Sequence, residues 1–91
     1  MFAVVVHESG DPAEIDRGAD HVAGEVAPRV RQAPGFVSAI WMADGAGRTL
    51  NVLAFDSEEA AREALARVQG ASRPGYLALD SAEVFRVLAT A

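Results

Sequence analysis

The predicted strands of this chain are apolar on both faces, and this pattern restricts the possible folds more than any other feature. Residues 2–6 form a continuous apolar run, and in residues 36–42 both alternating sets of side chains are mostly apolar. Residues 84–88 repeat the pattern. An antiparallel sheet with one face in water alternates apolar with polar residues. We therefore expect helices of the same chain to cover one face and a second copy to cover the other.

Strand and helix patterns alternate along the chain in the order β-α-β-β-α-β. The predicted elements are a strand at 2–8, a helix at 12–30, strands at 36–42 and 48–55, a helix at 58–70 and a strand at 83–89. Asp11 and Pro12 form a helix start, and Asp56 or Ser57 caps the second helix. Gly45-Ala46-Gly47 predicts a hairpin loop between the middle strands.

Pro28 falls inside the pattern of the first helix. A proline within a helix clashes with the carbonyl four residues earlier, which here belongs to Gly24. The sequence therefore predicts either a kink at this point, or a helix that ends near Ala27 and restarts at Pro28.

Short connections and right-handed crossovers fold this order into one ferredoxin-like domain spanning residues 1–91. It has a four-stranded antiparallel sheet with two helices on one face, an α+β fold. The open face of such a sheet covers on the order of 350 Å². This is comparable to the largest apolar patch of a typical soluble monomer. We therefore expect a homodimer that forms through the open sheet face.

Charge and composition exclude several classes of partner. The formal net charge is -5, the arginines are scattered, and several have acidic helical neighbours, as in Glu58 with Arg62 and Glu63 with Arg67. We expect neither nucleic acid nor a membrane as partner. The chain has no cysteine and only two histidines, in different predicted elements, so we expect no metal site, no other cofactor and a cytoplasmic location.

Two segments carry a resemblance to a known superfamily. Ala33-Pro34-Gly35-Phe36-Val37 opens the second strand, and Phe55-Asp56-Ser57-Glu58-Glu59-Ala60-Ala61 leads into the second helix. With the element order, they resemble the dimeric α+β barrel superfamily, and specifically small antibiotic-biosynthesis-monooxygenase-like domains of actinobacteria. The superfamily includes cofactor-independent oxygenases of phenols and quinols, haem-degrading enzymes, isomerases and members with no known activity.

The resemblance does not extend to the haem-degrading residues. That branch places Asn on the first strand, Trp on the third and His on the second helix, and this chain has none of them there. The oxygenase branch uses Asn, Trp and Tyr in its pocket. This chain has Asn51, Trp41 and Tyr76, although no local motif aligns them with those roles.

Trp41 and Asn51 are the leading candidates for ligand contact. If the hairpin loop is Gly45-Ala46-Gly47, Asp44 pairs with Arg48 and Trp41 lies opposite Asn51 on one sheet face. The pair would then hold an aromatic molecule and polarise its oxygen. A four-residue loop would place the two on opposite faces. The alternative interpretation is that Trp41 fills the core or the dimer interface and Asn51 bonds a strand edge.

His7 and Tyr76 complete the candidate ligand-binding set. His7 ends the first strand beside Glu8, so that it could act as a base with a carboxylate partner, or simply be half solvated. Tyr76 lies in a predicted loop at 71–80 that is long and apolar enough for a lid, or that plugs the barrel end.

The sequence favours a homodimer that binds a small apolar or aromatic molecule without catalysis. The alternative is a cofactor-independent monooxygenase acting on a phenol- or quinone-like substrate.

Overall fold

The computed structural model describes residues 1–91 and has the predicted element order. The elements are β1 (Phe2–Gly10), α1 (Pro12–Arg17), α2 (Ala19–His21), a π-helical turn (Val22–Val26), α3 (Ala27–Arg31), β2 (Phe36–Ala43), β3 (Arg48–Phe55), α4 (Glu58–Gly70) and β4 (Leu77–Arg86). The first predicted helix is therefore a run of short helical segments, and residues 12–31 are called the helical arm below.

The four strands form one antiparallel sheet in the order β2-β3-β1-β4. This is the ferredoxin-like arrangement, in which β1 and β3 are central and each helical region connects two strands. The predicted fold class is thus confirmed. None of the helices is both long enough and apolar enough to cross a membrane.

The helix α4 forms the core with the central strands. Ser57 caps it, and its hydroxyl accepts a hydrogen bond from the Ala60 N–H at 3.1 Å. The face toward the sheet consists of small residues, Ala60, Ala61 and Ala64, all buried. Because these side chains are short, the helix lies close to the sheet, and Val4 and Phe55 are fully buried in the same cluster.

The helical arm is held differently, since none of its residues is buried. Asp11 caps its start, as predicted, by accepting a hydrogen bond from the Glu14 N–H at 3.1 Å. The predicted break at Pro28 takes the form of a π turn followed by α3, which begins at Ala27. Pro28 therefore lies in the first turn of α3, where the missing N–H is tolerated.

The predicted boundaries of the last strand are wrong. β4 spans Leu77–Arg86 rather than 83–89, so that residues 77–80, expected in a loop, are part of the sheet. The reason lies in β1, which continues to Gly10 and pairs there with Leu77. A register shift between His7 and Glu8 accommodates one extra residue of β4, Asp80.

The sheet face opposite α4 is apolar and uncovered within the chain. The strand register places Val5, Ile40 and Phe85 on this face, and Ile40 and Phe85 are 53% and 51% exposed. The apolar patterning of both strand faces is therefore not satisfied by one copy of the chain.

Candidate functional site

A cavity of about 1180 Å³ lies between the sheet and the helical arm. It exists because α4 contacts its side of the sheet closely while no residue of the arm is buried. The wall is formed by the helix-facing sides of β1 and β3, by residues 39–43 of the edge strand β2, by the arm, and by the end of α4 with the loop that follows. Of the 33 residues that line it, 21 are hydrophobic, so its interior suits an apolar molecule.

Trp41 and Asn51 lie opposite each other on the cavity side of the sheet. The hairpin has the predicted register, since the Asp44 N–H donates to the Arg48 carbonyl at 3.0 Å and Trp41 pairs with Asn51. Trp41 is half-buried and Asn51 is 8% exposed, and both line the cavity. The pairing inferred from loop length is confirmed. An indole and a carboxamide therefore lie side by side on one wall.

A buried polar cluster surrounds the carboxylate of Glu8 on the same wall. Its Oε1 accepts a hydrogen bond from Asn51 Nδ2 at 2.9 Å and a longer one from Thr49 Oγ1 at 3.4 Å. Its Oε2 accepts from Arg73 Nε at 2.7 Å, which forms an ion pair. The Glu8 and Arg73 side chains are only 11% and 16% exposed, so the pairing neutralises a charge in a mostly apolar wall.

Glu8 and Arg73 were not among the site residues predicted from the sequence. A signal for Glu8 was present, because in a strand it shares a face with Val4 and Val6 and would point into the core. The suggested pairing of Glu8 with His7 is wrong for the same reason, since adjacent strand residues point to opposite faces. Arg73 is 65 positions from Glu8, and no local pattern connects them.

The structure brings together three of the four candidate residues. Tyr76 lines the cavity with Trp41 and Asn51, whereas His7 lies on the open sheet face and is exposed. Tyr76 also connects its loop to the start of the arm. Its carbonyl accepts a hydrogen bond from the N–H of Asp11, the residue that caps the arm, at 3.3 Å. Its hydroxyl lies so close to Gly18 that a Cβ there would be 3.0 Å away.

One predicted helical ion pair is not formed. Glu58 and Arg62 are paired at 2.9 Å, as expected, but Arg67 makes no salt bridge with Glu63 and lines the cavity instead. No group of three or more His, Cys, Asp or Glu side chains is arranged to hold a metal ion.

The sheet order and the positions of the helices define the fold class of the protein. The chain has a ferredoxin-like α+β fold, as the resemblance implied. No family model matches the sequence, and no curated protein matches it significantly.

Particular solved structures share this fold over almost the whole chain. A monooxygenase from the gene ActVA-Orf6 of Streptomyces coelicolor, in complex with Nanaomycin D, is 23% identical with a TM-score of 0.65, covering 99% of this chain and 89% of its own. The haem degrader MhuD from Mycobacterium tuberculosis, with two haems in its active site, is 18% identical with a TM-score of 0.73, covering 100% and 99%.

A dimeric ferredoxin-like protein from an uncultured marine organism is 14% identical with a TM-score of 0.58, covering 99% of this chain and 97% of its own. At these sequence identities the structural similarity establishes the fold only. The activity has to be inferred from the residues of the site.

Proposed function

We propose that residues 1–91 form a homodimeric domain that binds a small apolar or aromatic molecule in the cavity, without catalysis. The observation that carries the proposal is the cavity itself, which is large, mostly apolar and provided with one buried polar cluster. Ligand sites in proteins have this character, with volumes of about 300–1,000 Å³ and a few polar groups that orient the ligand. The neighbours that bind Nanaomycin D and haem support a binding role for this fold.

Trp41 and Asn51 supply the contacts that such a ligand needs. An aromatic ring stacks favourably on the half-buried indole of Trp41. The Asn51 Nδ2 already donates to Glu8, whereas its Oδ1 has no hydrogen-bond partner in the protein and remains available to a donor on the ligand. The ring position and the hydrogen-bonding position are therefore adjacent on one wall.

The uncovered sheet face supports the homodimer. Val5, Ile40 and Phe85 lie there on three different strands, so the apolar surface extends across the sheet. Two copies that meet through this face would bury it against itself in a symmetric interface. The cavity lies mainly on the other side of the sheet and meets the open face only at the edge strand β2, where Ile40 and Met42 also line it.

The binding proposal is tested by titrating the protein with 2-naphthol and recording tryptophan fluorescence. Trp41 is the only tryptophan, so a saturable change in emission reports directly on the cavity. Ala23→Phe adds a ring from the arm into the cavity and should weaken binding at least tenfold, whereas Ala66→Phe, outside the cavity, should not. Equal affinity in both variants would place the ligand elsewhere and contradict the proposal.

The position of Trp41 beside Asn51 favours a second candidate, a cofactor-independent monooxygenase. In the overall reaction a phenol and O₂ give a quinone and water. The substrate supplies the electrons, so the balance requires no external reductant. Asn51 would orient the phenolic oxygen while Trp41 holds the ring.

Oxygen uptake with naphthols as substrates distinguishes the two candidates. If the protein is a monooxygenase, uptake is stoichiometric with quinone formation, and Trp41→Phe and Asn51→Ala abolish it. Gln69→Ala, an exposed substitution outside the cavity, should retain the wild-type rate. Binding without oxygen uptake would support the non-catalytic function.

A further inference from the structure

The arginines of this chain fall into two groups that differ in their partners. All eight basic residues are arginines. Four of them form salt bridges with carboxylates: Arg17, Arg48, Arg62 and Arg73. The other four make no salt bridge, and three of these, Arg29, Arg31 and Arg67, line the cavity.

No carboxylate in the cavity wall is free to balance the three cavity arginines. Glu8 is the only acidic residue in the wall, and it is already paired with Arg73 at 2.7 Å. His21 also lines the wall, and its imidazole contacts Glu25. The lining residues therefore carry an excess of three positive charges, while the whole chain has a formal net charge of -5. Such a local excess attracts anions to this site and away from the rest of the surface.

The three arginines come from two helices at the border of the cavity. Arg29 and Arg31 belong to α3, and Arg67 belongs to the last turn of α4. Their guanidinium groups are exposed, so water remains available to them, and each is free to form a fork-shaped pair with a carboxylate.

We propose that the ligand of this cavity is an aromatic acid, whose rings lie against Trp41 and whose anionic group is bound at the border by Arg67 of α4 together with Arg29 or Arg31 of α3. The inference rests on the proposed binding function and adds the charge of the ligand to it. The apolar interior excludes the anionic group, so that the ligand lies with its rings inward and its acid at the border.

The test compares two probes of nearly the same size and shape, the charged 2-naphthoate and the neutral 2-naphthamide, each titrated by tryptophan fluorescence at low salt. Several exposed arginine–carboxylate contacts together should make the carboxylate bind about tenfold more tightly than the amide. Arg67→Gln should reduce this preference, and the triple variant Arg29→Gln, Arg31→Gln, Arg67→Gln should remove it. Arg86→Gln makes the same charge change outside the cavity and should leave the preference intact.

The results separate the inference from the function on which it rests. A carboxylate preference that falls with added salt and is lost in the triple variant supports the inference. Equal binding of the two probes to the wild-type protein overturns it and leaves the binding function standing. Failure of both probes to bind would overturn the binding function as well.

Discussion

Glu8 places a carboxylate on the core side of β1, directly after Val4 and Val6 on the same face. Its burial is tolerated because Arg73 and Asn51 reach it from elements distant in sequence. An ion pair of this kind contributes little compared with an apolar pair, but removing one partner leaves a buried charge without compensation. The pair therefore ties the loop after α4 to the sheet at the edge of the cavity.

The first prediction concerns this ion pair. Arg73→Met should lower the free energy of unfolding by about 2–3 kcal/mol, because Glu8 is left buried and charged. Urea denaturation measures the change. Arg62→Met removes an exposed pair with Glu58 and should change stability by no more than about 0.5 kcal/mol. Equal effects of the two substitutions would contradict the burial argument, and adding Glu8→Gln to Arg73→Met should restore part of the loss.

The second prediction concerns pH and the hairpin. The backbone N–H groups of Arg48 and Ala46 donate to the Asp44 carboxylate and hold its pKa below the ordinary value of 3.8. A lowered folded-state pKa means that this stabilisation is present above pH 3.8 and is lost as the pH falls toward the folded-state pKa.

Asp44→Asn should therefore lower the melting temperature at neutral pH, and the difference from wild type should shrink as the pH is reduced below 3.8. Circular dichroism melting curves across this range measure both quantities. A difference that stays constant with pH would show that the charge of Asp44 has no part in stabilising the hairpin.

At the scale of elements, the two helical regions contribute differently to the fold. α4 buries an alanine face against β1 and β3, whereas the arm is interrupted by a π turn and buries no residue. The arm contacts the core through the partly buried Val30, and Asp11 caps its start. The limited contact of the arm with the sheet leaves the cavity open.

The third prediction concerns two glycines, one in the π turn of the arm and one at the end of β1. Gly24 lies in the π turn, and a Cβ added there meets no atom within 4 Å. Gly24→Ala should stabilise the protein by about 0.5–1 kcal/mol, since alanine loses less backbone entropy in a helix. A Cβ on Gly10 would lie 1.9 Å from the Tyr76 carbonyl oxygen, so Gly10→Ala should be destabilising.

Thermal melting of the two variants measures both changes. A loss of stability in Gly24→Ala would show that the π turn requires glycine.

At the scale of the whole molecule, the chain has one covered and one uncovered sheet face. Twelve of 91 residues are buried, and most belong to the side on which α4 lies. The opposite face presents Ile40 and Phe85 to solvent. A chain with so small a core would gain stability if a second copy covered that face.

The fourth prediction is that the protein sediments as a dimer and that Phe85→Glu, on the open sheet face and outside the cavity, converts it to a monomer. A symmetric interface would bury two copies of the new carboxylate, which is costly without a cation to pair with. Ala66→Glu introduces the same charge on the exposed side of α4 and should leave the dimer intact. Sedimentation velocity distinguishes the states, and a wild-type monomer would contradict the proposed homodimer.

Local signals in the sequence were sufficient for the element order, the caps at Asp11 and Ser57, and the pairing of Trp41 with Asn51. Each depends on groups only a few residues apart, or on a loop whose length sets the register. The fold class followed, because few topologies accommodate this order of elements.

The ion-pair partners, the bounds of the last strand and the cavity were decided by the tertiary structure. Contacts between distant segments decide which residues pair with Glu8 and where β4 begins. They also decide that Arg67 lines the cavity and forms no salt bridge with Glu63. The cavity depends on how closely the arm approaches the sheet, and the pattern of alanines was compatible with either close contact or a hollow. Patterning and turn geometry act over short stretches of chain, whereas buried charge pairs and empty volume result from how whole elements pack together.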